Sequence, residues 1–115
     1  MTITRVDLHK YVEHSCKDFG INPWDIYIGW SQFYQGKRLP ISPYRNPHPW
    51  KEMGKEAATA RFRTETAPGL DITGLVDVYK KYGHLRLGCW CAPDEKCHGE
   101  VLIEMVENAL QNNLK

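Results

Sequence analysis

A strand, a short cysteine-rich loop and a helix follow one another near the C-terminus, and this unit constrains the fold more than any other segment. Residues 97–112 carry apolar side chains at three- and four-residue spacing, which predicts an amphipathic helix. Residues 85–91 alternate as a strand does, with one face formed by Leu85, Leu87, Cys89 and Cys91. A strand joined to a helix by a tight loop is typical of α/β proteins, so the segment predicts that fold class.

The rest of the chain supports a small layered α/β domain with a short, largely parallel sheet flanked by helices. At 115 residues the chain suffices for one ordinary domain, here residues 1–115. The other predicted elements are an extended segment at 2–6, a helix from Asp7 to about Asp18, a strand at 25–29, and helices at 50–63 and 71–82. The alternation of Val6 and Leu8 leaves open a first strand that continues through Leu8. We expect residues 26–29 to pair in parallel with residues 85–90.

Residues 30–50 contain four prolines and follow no regular period, which predicts a long loop. Between Ile26 and Lys51 the chain has no acidic residue, whereas this loop is basic and rich in aromatic side chains. Arginine suits phosphate and aromatic rings suit base stacking, so the composition indicates a nucleotide or a single-stranded nucleic acid as partner. A solvated loop whose aromatic side chains pack back on the core explains the same composition, and the sequence leaves both interpretations open.

The loop between the last strand and the last helix holds the strongest chemical candidates. In open α/β sheets ligands lie at the carboxyl ends of the strands, and the free N–H groups of a helix start favour an anion. The helix start should also lower the pKa of Cys97, which makes Cys97 a candidate nucleophile. Its neighbour His98 is a candidate acid, base or phosphate ligand, and Gly99 allows a ligand to approach the backbone. In the simpler interpretation, Cys89 and Cys91 are small core residues.

A zinc site is an alternative for the same loop, with the ligands Cys89, Cys91, Cys97 and His98. Residues two apart on a strand hold their side chains roughly 7 Å apart, and adjacent residues at a helix start point about 100° apart, so closing a tetrahedron would require distortion. We therefore predict no cofactor and keep zinc as the alternative. A Cys91–Cys97 disulfide fits geometrically, but a reducing compartment disfavours it.

Arg45 connects the basic loop to this site. If the loop folds over the carboxyl edge of the sheet, Arg45 faces the positive start of the last helix, and two positive elements repel unless an anion lies between them. We therefore expect Arg45 and residues 97–99 to share one anionic ligand. The full set of expected ligand-binding residues is Gly29, Arg45, Asn46, Cys91 and Gly99.

Four short motifs resemble those of a known family. They are Tyr27-Ile28-Gly29, Arg45-Asn46-Pro47, the LGCWCAP segment at 87–93 and the CHGEVL segment at 97–102. Together they resemble the uncharacterised phage and bacterial family catalogued as domain of unknown function 4326, over residues 25–107. Glu100 stands where that family usually has aspartate, and Trp30 stands where it usually has arginine. The resemblance implies a phage or bacterial protein of the cytoplasm, and it carries no established reaction.

Three hypotheses for function follow. The first is binding of a phosphate-bearing ligand, either a nucleotide or a nucleic acid, and an enzyme that uses Cys97 or His98 is one form of it. The second is a phage accessory protein that binds a host protein, with a structural Cys/His motif, and the third is a small zinc-binding module. No stretch approaches the ~20 apolar residues of a membrane span, and the N-terminus lacks the apolar region of an export signal. We therefore expect a cytoplasmic protein without a membrane partner, and the oligomeric state stays open.

Overall fold

A three-stranded parallel sheet lies at the centre of the computed structural model, which describes residues 2–8, 18–34, 36–91 and 96–113. The strands are β1 (Thr2–Asp7), β2 (Asp25–Tyr27), β3 (Gln32–Tyr34), β4 (Lys37–Leu39) and β5 (His84–Cys89). The helices are α1 (Trp50–Met53), α2 (Lys55–Arg61), α3 (Thr73–Tyr82) and α4 (His98–Asn113). A π-helical turn (Phe62–Thr66) and a 3-10 turn (Ala67–Gly69) follow α2. Within the described part of the chain, no helix is long and apolar enough to cross a membrane.

β5 is the central strand of the sheet, and both of its neighbours run parallel to it. Ile3 of β1 lies opposite Leu85, and Ile26 of β2 lies opposite Leu87. Parallel neighbours need crossover connections, and the segment between β2 and β5 contains α1, α2 and α3. The α/β fold class and the parallel pairing of the two predicted strands are therefore confirmed.

The apolar faces of β5 and α4 meet in one core. Leu85 and Leu87 of β5 are fully buried, and so are Leu102 and Val106 of α4. These four side chains belong to one cluster with Phe62 of the π-helical turn. Burying a side chain of this size contributes roughly 1.5–3 kcal/mol to stability. The core thereby fixes α4 against the sheet and determines where its first residues lie.

Asp7 does not begin a helix, as the sequence analysis expected. It is the last residue of β1, opposite Cys89, and the N–H of Leu8 donates to the Cys89 carbonyl oxygen at 2.9 Å. Pairing with the central strand therefore prevails over the capping preference of aspartate, and the alternative of a longer first strand is closer to the structure. Residues 9–17 of the predicted helix lie outside the described residues.

The segment predicted as an irregular loop at 30–50 contains a β-hairpin. β3 and β4 pair antiparallel, with Gln32 opposite Leu39. Tyr34 is buried in a small second cluster, whereas Phe33 is exposed beneath the Arg38 guanidinium, 4.7 Å from its ring centroid. Each strand has three residues, which is too short for alternation to show in the sequence.

The helix predicted at 50–63 is divided into α1 and α2 at Gly54. The φ of Gly54 is 89°, a value that glycine adopts readily and that interrupts a right-handed helix. The helix predicted at 71–82 is present as α3, which begins at Thr73. Its N-cap residue is Ile72 rather than the predicted Asp71, and Asp71 Oδ1 accepts the N–H of Thr73 at 2.9 Å from one position before the cap.

Candidate ligand pocket and thiol cluster

A cavity of about 380 Å³ opens at the carboxyl ends of β2 and β5, beside the first residues of α4. Parallel α/β sheets place their ligand sites at this edge, and the volume falls within the range of small-molecule sites. The described residues that line it are Tyr27, Gly29, Trp30, Gln32, Asn46, Trp50, Lys51, Lys55, Ala58, Thr59, Cys89, Trp90, Cys91, Lys96, Cys97 and His98. Most residues predicted for the site are therefore brought together, whereas Arg45 and Gly99 are not among those that line it.

One wall of the pocket is a chain of hydrogen bonds between aromatic residues. Trp90 Nε1 donates to the Tyr27 hydroxyl at 2.6 Å, and that hydroxyl donates to the Trp30 carbonyl oxygen. A Cβ atom on Gly29 would lie 2.6 Å from the Tyr27 hydroxyl oxygen, so a side chain at this position would push the Tyr27 ring away. The Tyr27-Ile28-Gly29 motif thus shapes the wall, and the role of Gly29 in ligand binding stays a prediction.

Asn46 joins this wall to α2. Its backbone carbonyl oxygen accepts the indole N–H of Trp30 at 3.0 Å, and its side-chain Nδ2 donates to the Ala58 carbonyl oxygen at 3.1 Å. Its Oδ1 accepts the backbone N–H of His48 at 2.9 Å. Both ends of the Asn46 amide therefore hold the loop in place while the residue lines the pocket.

The pocket is lined by positive charge and aromatic surface. Lys51, Lys55 and Lys96 line it, and its described lining residues include no aspartate or glutamate. The ammonium groups of Lys51 and Lys55 lie 5.9 and 5.0 Å from the centroid of the Trp50 ring. Positive charge focused in a concave site attracts anions.

Three cysteines converge on the inner side of the pocket. The Sγ atoms of Cys89, Cys91 and Cys97 all lie within 4.8 Å of one another. The sequence analysis placed Cys91 on the strand, about 7 Å from Cys89, but β5 ends at Cys89 and Cys91 lies beyond its end. The geometric objection to a shared site is therefore wrong for these three residues.

The pKa values of the three thiols are shifted in different directions. Hydrogen bonds from the Cys91 and Cys97 thiols lower the pKa of Cys89, and the same contacts raise the pKa of Cys91 to about 11 and raise that of Cys97 further. This reverses the direction expected for Cys97 from the helix start. Arg5 Nη1 lies 3.6 Å from the Cys89 sulfur and donates to the Cys91 carbonyl oxygen at 3.2 Å, so the guanidinium is placed to stabilise a thiolate at Cys89.

His98 is buried and held by the backbone of the neighbouring strand end. Its Nε2 lies 2.7 Å from the Ile28 carbonyl oxygen, and because a carbonyl only accepts, Nε2 carries a proton. Burial lowers the pKa of His98, and the hydrogen bond to Ile28 opposes this effect without cancelling it. In the neutral ring Nδ1 is then the acceptor, and it lies 3.8 Å from Cys97 Sγ. The catalytic roles of Cys97 and His98 stay predictions.

At the start of α4, the backbone N–H groups of Gly99 and Glu100 both donate to atoms of Cys97. The N–H of Gly99 donates to Cys97 Sγ at 3.4 Å, and the N–H of Glu100 donates to the Cys97 carbonyl oxygen at 3.0 Å. A Cβ atom on Gly99 would lie 2.8 Å from Arg5 Cδ and 3.0 Å from Ile28 Cδ1. Gly99 therefore allows the helix to pack closely against the sheet, and its predicted contact with a ligand stays a prediction.

Arg45 is engaged within its own loop. Its Nη1 donates to the Ser42 carbonyl oxygen at 3.0 Å, and its guanidinium carbon lies 4.9 Å from the centroid of the Trp30 ring. Arg45 is not among the described residues that line the pocket, whereas three lysines are. An anion shared by Arg45 and the start of α4 stays a prediction.

Sequence reasoning missed Arg5, Lys55 and Lys96 as site residues. The available signal for Arg5 was a single arginine in the extended segment predicted at 2–6, whose other residues are uncharged. For the two lysines no local signal existed, because their position at the pocket depends on how α2 and the last loop pack.

Fold and site together define a small α/β domain with a basic aromatic pocket and a thiol cluster at the carboxyl ends of its strands. The chain belongs to the family described as domain of unknown function (DUF4326), whose model matches residues 13–108. No match was found among the curated proteins or among the solved structures. The resemblance that the sequence motifs indicated is thus confirmed.

Proposed function

We propose that this domain binds a nucleotide, with its phosphate groups held by the lysines and its base packed against the tryptophans of the pocket. The observation that carries the proposal is the lining: three lysines and four aromatic side chains, without a carboxylate among the described lining residues. Phosphate requires positive charge in a concave site, and a nucleobase stacks on aromatic rings.

Two of the tryptophans expose enough surface for stacking. Trp30 is 51% exposed and Trp50 is 49% exposed, although such large rings are usually mostly buried. Both line the cavity. A base lying against them would remove apolar surface from water, which supports an aromatic rather than a purely inorganic anion as ligand.

The wall that carries Trp30 and Trp90 is held by hydrogen bonds within the protein itself. The indole N–H of Trp30 donates to the Asn46 carbonyl oxygen, and Trp90 is bonded to the Tyr27 hydroxyl. Side chains that are already ordered lose less conformational entropy when a ligand binds. This arrangement supports specific binding of one ligand rather than unspecific attraction of anions to a basic surface.

The test is calorimetric titration of the full chain with ADP, with adenosine and inorganic phosphate titrated separately. We expect ADP to bind more tightly than either part. Replacing Lys51, Lys55 or Lys96 by alanine should weaken ADP binding by roughly 1.5–3 kcal/mol, the range for hydrogen bonds to charged groups. Lys80→Ala is the matched control, because Lys80 is an exposed lysine of α3 outside the pocket lining.

Two outcomes would contradict the proposal. One is an ADP affinity that falls equally in the Lys80 variant and in the pocket variants. The other is tight binding of a single-stranded oligonucleotide by a chain that does not bind ADP, which would assign the basic aromatic surface to nucleic acid.

A further inference from the structure

We propose that Cys89, Cys91 and Cys97 bind one thiophilic divalent metal ion, of which Zn²⁺ is the representative, on the inner side of the pocket. This inference goes beyond nucleotide binding and does not depend on it. The three Sγ atoms lie within 4.8 Å of one another. Tetrahedral zinc with bonds of about 2.3 Å holds its sulfurs about 3.8 Å apart, so a contraction of roughly 1 Å closes the site.

The surroundings of the cluster match the charge of such a site. Zn²⁺ with three thiolates carries one net negative charge, and the Arg5 guanidinium beside Cys89 offsets it. Glu100 Oε1 lies 3.6 Å from Arg5 Nη2, and the Cys91 carbonyl oxygen accepts from Arg5 Nη1, so the guanidinium is fixed in position. The Gly99 N–H donates to Cys97 Sγ. Metal-binding thiolates depend on outer hydrogen bonds of this kind.

The fourth coordination position faces the pocket. All three cysteines line the cavity, and Cys91 is only half-buried. His98, which the sequence analysis counted as a fourth zinc ligand, is outside the group of atoms that lie within 4.8 Å of one another. Its Nε2 is bonded to the Ile28 carbonyl oxygen. Three protein ligands and one open position are typical of zinc sites that bind a water or a substrate atom.

Binding of the ion is a ligand exchange without oxidation or reduction. The metal ion gives up water, the three sulfurs become thiolates, and the protons that the thiols carry pass to the solvent. The reducing conditions that keep thiols available are the only further requirement.

The first experiment measures metal in the full chain, purified with a reductant and without a chelator. We expect inductively coupled plasma mass spectrometry to find about one zinc ion per chain. After removal of zinc, titration with Co²⁺ should give the thiolate-to-cobalt charge-transfer absorption, with saturation at about one equivalent. A folded, fully reduced chain that gives no such absorption would overturn the proposal, and so would a Cys91–Cys97 disulfide that persists without metal.

Cysteine variants identify the ligands. Cys89→Ser, Cys91→Ser and Cys97→Ser should each lower cobalt affinity at least tenfold, and Cys91→Ser is the most informative because Cys91 is the least buried of the three. Cys16 lies outside the described residues and is not one of the three proposed ligands, so Cys16→Ser is the control and should retain the full affinity. Loss of cobalt binding in the Cys16 variant, together with retention in the Cys91 variant, would overturn the assignment. The cobalt titration of the unaltered chain decides the question if a serine variant does not fold.

The open position is tested with imidazole added to the cobalt-loaded chain. An exchangeable fourth ligand predicts a shift of the visible cobalt bands while the charge-transfer absorption stays constant. A spectrum that does not respond to imidazole would show that the protein itself fills the fourth position, and would overturn this part of the proposal. Neither result depends on ADP, so failure of the metal site and failure of nucleotide binding are distinguished.

Discussion

The two ends of the parallel sheet differ in how their charges are balanced. At the amino end, Asp25 of β2 lies directly opposite Arg86 of β5. Arg86 Nε donates to Asp25 Oδ1 at 2.6 Å, Arg86 Nη2 donates to Asp25 Oδ2 at 2.9 Å, and Arg86 Nη1 donates to Asp18 at 3.1 Å. The Asp25 side chain is fully buried, so the charges are paired within the protein itself.

At the carboxyl end, charge of one sign gathers around a cavity. Lys51, Lys55 and Lys96 line the pocket, and no carboxylate is found among its described lining residues. The same strands therefore end in a buried ion pair on one side and in a pocket whose described lining includes three lysines and no carboxylate on the other. We expect the ion pair at the amino end to contribute to stability, and the carboxyl end is where we propose the nucleotide site.

The largest expected effect comes from breaking the amino end. Arg86→Met should lower the free energy of unfolding by about 3 kcal/mol, because it leaves the buried Asp25 carboxylate without its charged partner. Urea denaturation checks this value. Arg61→Ala removes an exposed pair with Glu65 and should cost at most about 1 kcal/mol. Equal losses in the two variants would remove the distinction between the two ends.

Arg5 sharpens the comparison at the carboxyl end. Arg5→Lys retains the charge but cannot reproduce the contacts of the guanidinium with Cys89, Cys91 and Glu100. We expect zinc affinity to fall by roughly 10- to 100-fold, as for other outer contacts of metal sites. Competition with a chromophoric chelator measures the change. Arg63→Lys is the control on the exposed Arg63–Glu104 pair, and an equal fall in both variants would contradict the role of Arg5.

A substitution of Gly99 distinguishes a role in close packing from a role in ligand contact. Gly99→Ala gains helix propensity, but its Cβ atom would press on Arg5 and Ile28, so we expect a net loss of about 1–2 kcal/mol in stability. Thermal or urea unfolding measures it. Gly69→Ala, at a position with open space around it, should be close to neutral. A Gly99 variant of unchanged stability with weakened ADP binding would restore the ligand role predicted from the sequence.

The smallest effect is the pH dependence at the amino end. Burial raises the pKa of Asp25, but hydrogen bonds from Arg86 and from the backbone N–H groups of Asn22 and Gly20 outweigh it and hold the pKa below its ordinary value. Stability from this carboxylate is then present above the unfolded pKa of about 3.9 and is lost as the pH falls through the folded value. The stability difference between the unaltered chain and Asp25→Asn should narrow below about pH 4. A difference that stays constant from pH 6 to pH 3 would contradict this account.

The sequence predicts the parallel sheet and its ligand edge because alternation and helical spacing are local properties of residues 85–91 and 97–112. It does not predict that the last strand ends at Cys89. Trp90, just after the strand, donates a hydrogen bond to the hydroxyl of Tyr27, which lies 63 positions earlier in the chain. A contact between such distant residues leaves no local pattern in the sequence. For the same reason the sequence does not predict that Asp25 pairs with Arg86.

The thiol cluster shows the same limit. Cys89, Cys91 and Cys97 are close in the chain, but whether their sulfurs converge depends on two or three residues beyond the end of β5. An ideal strand geometry extended by those residues separates the sulfurs, whereas the actual end of the strand brings them together. The motifs therefore placed the three cysteines at one edge of the sheet, and the tertiary structure shows that their sulfurs converge.

The most direct test of the central claim uses the four tryptophans of the chain as reporters. Trp30, Trp50 and Trp90 line the pocket, whereas Trp24 packs against Tyr82 and His84 away from it. In a ¹⁵N-labelled sample, each indole N–H gives its own NMR signal, and ADP is added stepwise. We predict that the three pocket signals shift with one common saturation curve and that the Trp24 signal stays in place. A titration in which no indole signal moves, or in which Trp24 moves as far as the others, would contradict a nucleotide site at the carboxyl end of the sheet.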